Sequence, residues 1–187
     1  MTERPARTLD EGLPGDPPAE DEVARMIRVD QAGEYGAVRI YAGQLAVLRR
    51  HPEAEAIRRM ADQEQKHLIA FDALVVERRV RPTALSPLWH VGGFALGAAT
   101  ALLGPKAAMA CTVAVEEVID AHYASQAARL GPGEAALKDT IVRFRDDEIK
   151  HRDEALAQGA SDAPFQPLLT SAVKTASRIA IWLSTRI

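Results

Sequence analysis

The sequence predicts an all-α protein: a four-helix bundle with an internal two-fold repeat, plus an apolar crossover segment and a C-terminal amphipathic helix. Three observations predict it. Long stretches keep apolar residues at helical spacing between Pro and Gly breaks. No Val/Ile/Thr-rich alternating run bounded by turn residues marks a strand. A nine-residue segment, residues 59–67, returns 84 residues later at 143–151, and both copies read R-x-x-D-x-E-x-K-H.

The elements follow in order. Residues 1–18 are polar and Pro-rich with no apolar core of a signal peptide, which predicts a flexible arm. Residues 19–187 then form one domain, long enough for a real core. The first helix is expected over residues 19–50, with Val23, Ile27, Asp30, Glu34, Val38, Tyr41, Leu45 and Leu48 on one stripe. His51-Pro52 ends it, and the second helix runs to residue 80, before Arg81-Pro82. A third long helix spans 105–130, and Gly131-Pro132-Gly133 breaks it. The fourth runs over 134–158 and is closed by Gly159. Between the second and third lies an apolar segment, 83–104, whose thirteen-residue centre is too short to cross a bilayer as a helix. The last segment, 167–187, sets Leu169, Ala172, Val173, Ala176, Ile179, Ala180 and Leu183 at helical spacing.

Charge is segregated along the chain. Residues 78–115 and 163–187 contain no acid, so the net charge of −3 splits into +7 on these two segments and −10 elsewhere. The acidic remainder argues against a nucleic-acid partner. Basic, apolar stretches fit an anionic bilayer surface, and segments 83–104 and 167–187 are the expected membrane-facing parts. The plainer alternative makes them two more core-covering helices. A single cysteine, Cys111, excludes an intrachain disulfide and a Cys-based metal cluster and fits a reducing compartment.

Chemistry enters through the repeat. Glu64 and His67, like Glu148 and His151, are three residues apart and so share one helix face. Two such pairs offer matching half-sites for two metal ions. In ferritin-like bundles each of the other two helices adds one inward Glu. Glu34 is followed seven residues on by Tyr41, and Glu116 by Tyr123, a register that Glu117 misses. Heights agree as well. Glu116 lies 15 residues before Gly131 and Glu148 lies 15 after Gly133, about 22 Å from the turn in either helix. The predicted ligand set is Glu34, Glu64, His67, Glu116, Glu148 and His151. Four carboxylates and two imidazoles without a thiolate suit iron or manganese better than copper or structural zinc. Solvated surface charge is the alternative for any single pair, and the duplication outweighs it.

Weaker candidates surround that set. Tyr41 and Tyr123 are read as contacts to ligands or substrate, with core packing as the alternative. His122 is a candidate for proton transfer, with a structural or exposed role as the alternative. Asp62 and Asp146 lie off the ligand face and are expected to be solvated or to support a neighbouring helix. Gly33, Gly36 and Gly43 weaken a helix unless close packing, or room beside Glu34, requires them. His51 and His90 look incidental.

These residues resemble a known family. Residues 26–37 (MIRVDQAGEYGA), residues 39–44 (RIYAGQ), residues 110–117 (ACTVAVEE) with His122-Tyr123, and Phe144-Arg145-Asp146 with Glu148 and His151 are similar to the demethoxyubiquinone hydroxylases of ubiquinone biosynthesis. The likeness covers residues 22–187. It implies a di-iron carboxylate monooxygenase of the ferritin-like superfamily, with two irons per chain held by the six residues named above. It further implies O2 as cosubstrate, a polyprenyl benzoquinol as substrate, and His122 and Tyr123 near that substrate. The expected reductant is NADH, the quinol itself or a reductase, and no dinucleotide fingerprint follows a strand. The expected location is the cytoplasmic face of a bacterial cell membrane, as a peripheral protein. A homo-oligomer and lipid-delivery or other pathway proteins are the expected partners. One departure is Asp120, where some relatives carry an apolar or small residue. Two alternatives remain at this level: a ferritin-like iron oxidase or peroxide-consuming protein, and a non-enzymatic membrane-associated helical bundle.

Overall fold

In the computed structural model residues 7–187 are described; the first six residues of the predicted arm lie outside them. Six α-helices and no strand occur among the described residues. They are α1 (Ala19–Leu48), α2 (Ala54–Glu77), α3 (Ser86–Leu102), α4 (Pro105–Arg129), α5 (Ala135–Ala157) and α6 (Gln166–Ser184). The four long helices agree with the sequence boundaries to within about three residues, because Pro and Gly set those boundaries locally. Gly104, at φ 115°, releases the chain into Pro105 at the start of α4. Gly159, at φ 87°, adopts the left-handed conformation just beyond the end of α5. Ahead of α1, Leu9–Glu11 form one 3-10 turn, and Asp10 Oδ2 lies 3.4 Å from the Gly133 N–H in the α4–α5 turn.

Helices α1, α2, α4 and α5 build the bundle as two hairpins, α1–α2 and α4–α5. Two apolar clusters fill it. One collects Tyr41, Ile57, Met60, Met109, Val113 and Ala155; the other collects Ile27, Phe71, Tyr123, Leu130, Ile141 and Phe144. Between them sits a buried polar layer, described below.

The remaining helices cover one flank. α3 packs chiefly along α1, and α6 packs chiefly along α4. The α1–α3 approach is close enough to need glycine: a Cβ on Gly43 would strike the Phe94 carbonyl, and one on Gly97 the Ile40 carbonyl. Gly33 and Gly36 serve differently, since they border a cavity of about 280 Å³ that is also lined by Trp89, Leu96, Ile119 and Ala180. No described helix is long and apolar enough to cross a membrane.

The apolar stripe of α6 is divided between core and surface. α6 does not bury its whole apolar stripe. Val173 is buried and Leu169 and Ala180 are half-buried, but Ala172 and Ile179 are exposed, while Thr170 and Ser184 are buried in their place. The reason is local satisfaction of the hydroxyls. Thr170 Oγ1 donates to its own Gln166 carbonyl at 2.8 Å, and Ser184 Oγ accepts from Trp89 Nε1 at 3.0 Å across to α3. Those bonds let polar residues face inward and turn part of the apolar stripe out.

Candidate metal centre

The polar layer is the site. Glu34 from α1, Glu64 and His67 from α2, Glu116 from α4, and Glu148 and His151 from α5 are each at most 4% exposed. All six predicted residues therefore meet in one place, and Glu116 rather than Glu117 enters it. Glu117 lies at the surface and pairs with Lys174.

Donor atoms fall into two groups. Glu34, Glu64, His67 and Glu148 offer ligand atoms within 4.8 Å of one another, and so do Glu64, Glu116, Glu148 and His151. Glu64 and Glu148 belong to both. His67 Nδ1 is 3.1 Å from Glu148 Oε1 and 3.6 Å from Glu34 Oε2; His151 Nδ1 is 2.9 Å from Glu64 Oε1 and 3.3 Å from Glu148 Oε2. Yet His67 Nδ1, His151 Nδ1, Glu64 Oε1 and both Glu148 oxygens have no aligned hydrogen-bond partner. Buried polar atoms are almost always paired. Atoms that crowd together without pointing at one another are aimed at a common point between them, as ligand atoms are. The group fits two divalent cations, which would offset four carboxylates.

Protonation makes the same point. Burial raises the pKa of Glu34 and Glu116 well above the usual carboxylate range, and the neighbouring Glu64 and Glu148 charges add to it. Burial would raise Glu64 too, but the adjacent His151 and His67 imidazoles outweigh it and bring the group to about 2. Burial opposes charge on the imidazoles, but the surrounding carboxylates win: His151 rises to about 9 and His67 further still. Without cations the layer must hold protons in their place.

Outer contacts tie the ligands down. Tyr41 Oη donates to Glu116 Oε1 at 2.9 Å, and Tyr123 Oη donates to Glu34 Oε1. Each tyrosine thus orients a carboxylate of the opposite hairpin, and burial raises both phenol pKa values. His67 stacks on Phe144 at 4.0 Å between centroids, and its Nε2 is 3.4 Å from Asp147 Oδ2.

Asp147 escaped the sequence reading, which considered Asp62 and Asp146 instead; both of those are exposed. A signal existed. Within the repeat, Asp147 stands where the first copy has Gln63. Asp30 and Gln126 were missed as well. Gln126 Nε2 donates to Asp30 Oδ1 at 2.8 Å, and His122 Nε2 is 3.3 Å from the same oxygen. His122 also forms a wall of an open groove of about 400 Å³ between α4 and α6, with Arg178, Trp182 and Arg186. His90 is not incidental, since its Nδ1 is 2.6 Å from Tyr35 Oη and links α3 to α1. Asp120 accepts from Arg145 Nε at 2.5 Å, an ion pair between α4 and α5 that accounts for an acid there.

Comparison with known proteins fits this geometry. Residues 21–184 match the family described as ubiquinone biosynthesis protein COQ7. The chain belongs to that family. It is 57% identical to a 3-demethoxyubiquinol 3-hydroxylase of Rhodospirillum rubrum over 97% of this chain and 86% of the relative. It is 52% identical to a protein of Homo sapiens named NADPH-dependent 3-demethoxyubiquinone 3-hydroxylase, mitochondrial, over 88% of this chain and 78% of the relative. A 5-demethoxyubiquinone hydroxylase, mitochondrial, of Saccharomyces cerevisiae is 46% identical over 87% and 77%. Family membership, rather than the ligand set, separates this COQ7-family chain from the iron-storing and non-enzymatic alternatives.

Proposed function

We propose that this COQ7-family chain is a demethoxyubiquinol 3-hydroxylase, an oxidoreductase of ubiquinone biosynthesis, with two irons in the buried layer. One observation carries the reading: two four-residue donor groups sharing Glu64 and Glu148, in a chain 57% identical to a relative of that name. Glu34 and His67 would complete one metal position, Glu116 and His151 the other. Bound iron would supply O2 activation and one-electron chemistry that no side chain offers. The protein's part is to fix six ligands, exclude water through the two apolar clusters, and hold the outer carboxylates by Tyr41 and Tyr123.

The quinol is assigned to the cavity bordered by Gly33 and Gly36, which flank Glu34 in the sequence of α1. Its lining is apolar, and it lies between the bundle and the two acid-free helices α3 and α6. Those helices expose Leu88, Val91, Leu102, Leu168 and Ile179; α6 carries Lys174 and Arg178, and Arg81 and Lys106 flank the two ends of α3. A peripheral position on an anionic membrane would let an isoprenoid chain enter without crossing water. This assigns segments 83–104 and 167–187 to the membrane side.

The reductant is assigned to the α4–α6 groove. The sequence reading left NADH, the quinol itself or a reductase as the electron source, and several relatives are named NADPH-dependent. Arg178 and Arg186 form no ion pair with an acid among the described residues, and Arg186 lies 4.2 Å over the Trp182 ring. Two guanidiniums without a carboxylate partner, that of Arg186 donating Nη1 to the Trp182 carbonyl at 2.8 Å, and an indole suit the phosphates and ring of a dinucleotide. His122, at the groove wall, precedes Tyr123, which donates to Glu34.

A labelled-oxygen assay tests the reading. Iron-loaded protein, a short-chain demethoxyubiquinol, NADPH and 18O2 should give product with one labelled oxygen, and Glu148→Ala should give none. Arg178→Gln with Arg186→Gln should raise the NADPH KM about tenfold or more, the scale of losing charged hydrogen bonds. Dithionite-driven turnover should be unchanged. Iron binding and O2 uptake without labelled quinone would overturn the hydroxylase, and an unchanged NADPH KM would overturn the groove assignment.

A further inference from the structure

Asp30 is a buried acid outside the ligand set. It is 2% exposed, one helical turn before Glu34, and no Lys or Arg pairs with it among the described residues. Its Oδ2 has no hydrogen-bond partner at all. Such a carboxylate weakens a fold unless it is paired, which points to a task in function.

Its neighbours define the task. The Gln126 amide nitrogen is 2.8 Å from Asp30 Oδ1 and 3.0 Å from His122 Nε2. An amide nitrogen carries two hydrogens, one for each acceptor. The His122 Nε2 is then bare, so the ring's proton sits on Nδ1. His122 is the partly exposed member, its side chain 20% accessible and bordering the groove. If Nε2 gains a proton, Asp30 Oδ1 is 3.3 Å away to accept it. The ring therefore has a partner in either state: the amide when neutral, the carboxylate when cationic. The other groups around it are Glu117, which lies against Lys174, and Arg178 and Arg186 from α6. Inward lies Tyr123, whose phenol feels the charges of Glu34 and Asp30.

We propose that Asp30 and Gln126 are positioning residues for His122: they fix its tautomer and give its cation a partner, so that it passes one proton per turnover from the groove to the buried site. The demand for that proton rests on the hydroxylase reading. Ring C–H, O2, a reduced nicotinamide and one proton give ring C–OH, water and the oxidised nicotinamide. The hydride brings two electrons and one of the two hydrogens of the water; solvent must bring the other, and the metal layer is closed to it.

Nitrogen-15 NMR of histidine-labelled full-length protein tests the positioning without reference to turnover. The wild type should show His122 protonated at Nδ1, and Gln126→Met should move the proton to Nε2, where only Asp30 remains to accept it. An unmoved proton overturns the proposal. In the iron-loaded enzyme, Asp30→Asn should slow kcat by on the order of 10²-fold, the scale of a lost proton-transfer group. It should leave the quinol and NADPH KM values in place, enlarge the solvent deuterium isotope effect and keep or raise Tm. Adding it to His122→Gln should cost nothing further. A fall in Tm that accounts for the loss, or two losses that multiply, would overturn it. A wild type that hydroxylates nothing would sink the hydroxylase and the proton demand with it, while the tautomer experiment would still decide the positioning.

Discussion

The two hairpins start from nearly the same nine residues and end with unequal histidines. On α2, His67 stacks on Phe144 and has Asp147 3.4 Å behind its outer nitrogen. On α5, His151 has no acid there, and its Nε2 is buried without a partner. The cause is one position: the residue before the repeated Glu is Asp147 in one copy and Gln63 in the other. The carboxylates, by contrast, are treated alike, each outer Glu receiving a tyrosine from the opposite hairpin. The repeat thus sets out two donor groups of the same composition, three Glu and one His each, and a single outer contact distinguishes their histidines. An acid behind a ligating imidazole fixes its tautomer and strengthens its donation.

The largest test of this comparison separates shared from private ligands. Glu64→Ala or Glu148→Ala should lose both ions and lower hydroxylation by about 10³-fold or more. Glu34→Ala and Glu116→Ala should each retain one ion by elemental analysis. Loss of both ions from Glu34→Ala would erase the distinction. Next in size, Asp147→Asn should weaken one of the two binding steps by about 10–100-fold in a ferrous titration. Gln63→Ala should leave both steps within a factor of about three, as expected where no charged contact to a ligand is lost.

Smaller still is a pH effect on metal-free protein. Both histidines have raised pKa values, so their protonated contacts stabilise the fold fully below the unfolded value near 6.5 and fade as pH climbs through the folded value. For His151 that value is about 9, and for His67 it lies higher. Tm of metal-free protein should therefore fall above pH 7, and His151→Gln should remove the part lost by about pH 9. Metal binding should show the opposite sign, strengthening as pH rises, because protons compete for the same nitrogens. The smallest change in stability is expected outside the bundle. Leu168→Glu and Ile179→Glu alter exposed positions and should shift stability by no more than about 0.5 kcal/mol. Both should lower co-sedimentation with anionic liposomes while metal content stays constant; unchanged co-sedimentation would leave α6 a covering helix alone.

What was legible in the sequence was whatever depends on spacing along one helix. Glu and His three apart must share a face, Glu34 and Tyr41 repeat in Glu116 and Tyr123, and equal counts from a turn set equal heights, so six residues on four helices were placed before any contact was known. Pro and Gly fixed the helix ends because they act through their own φ angles. Contacts between helices were not legible, since the angle at which one helix presents a face depends on everything packed around it. That is why Asp147 rather than Asp62 or Asp146 reaches a histidine, why α6 turns Ile179 outward, and why Asp30, Gln126 and His122 meet across α1 and α4. Periodicity determined which six donor residues share the buried layer; packing decided which outer residues touch them, because those contacts are made by side chains remote in sequence.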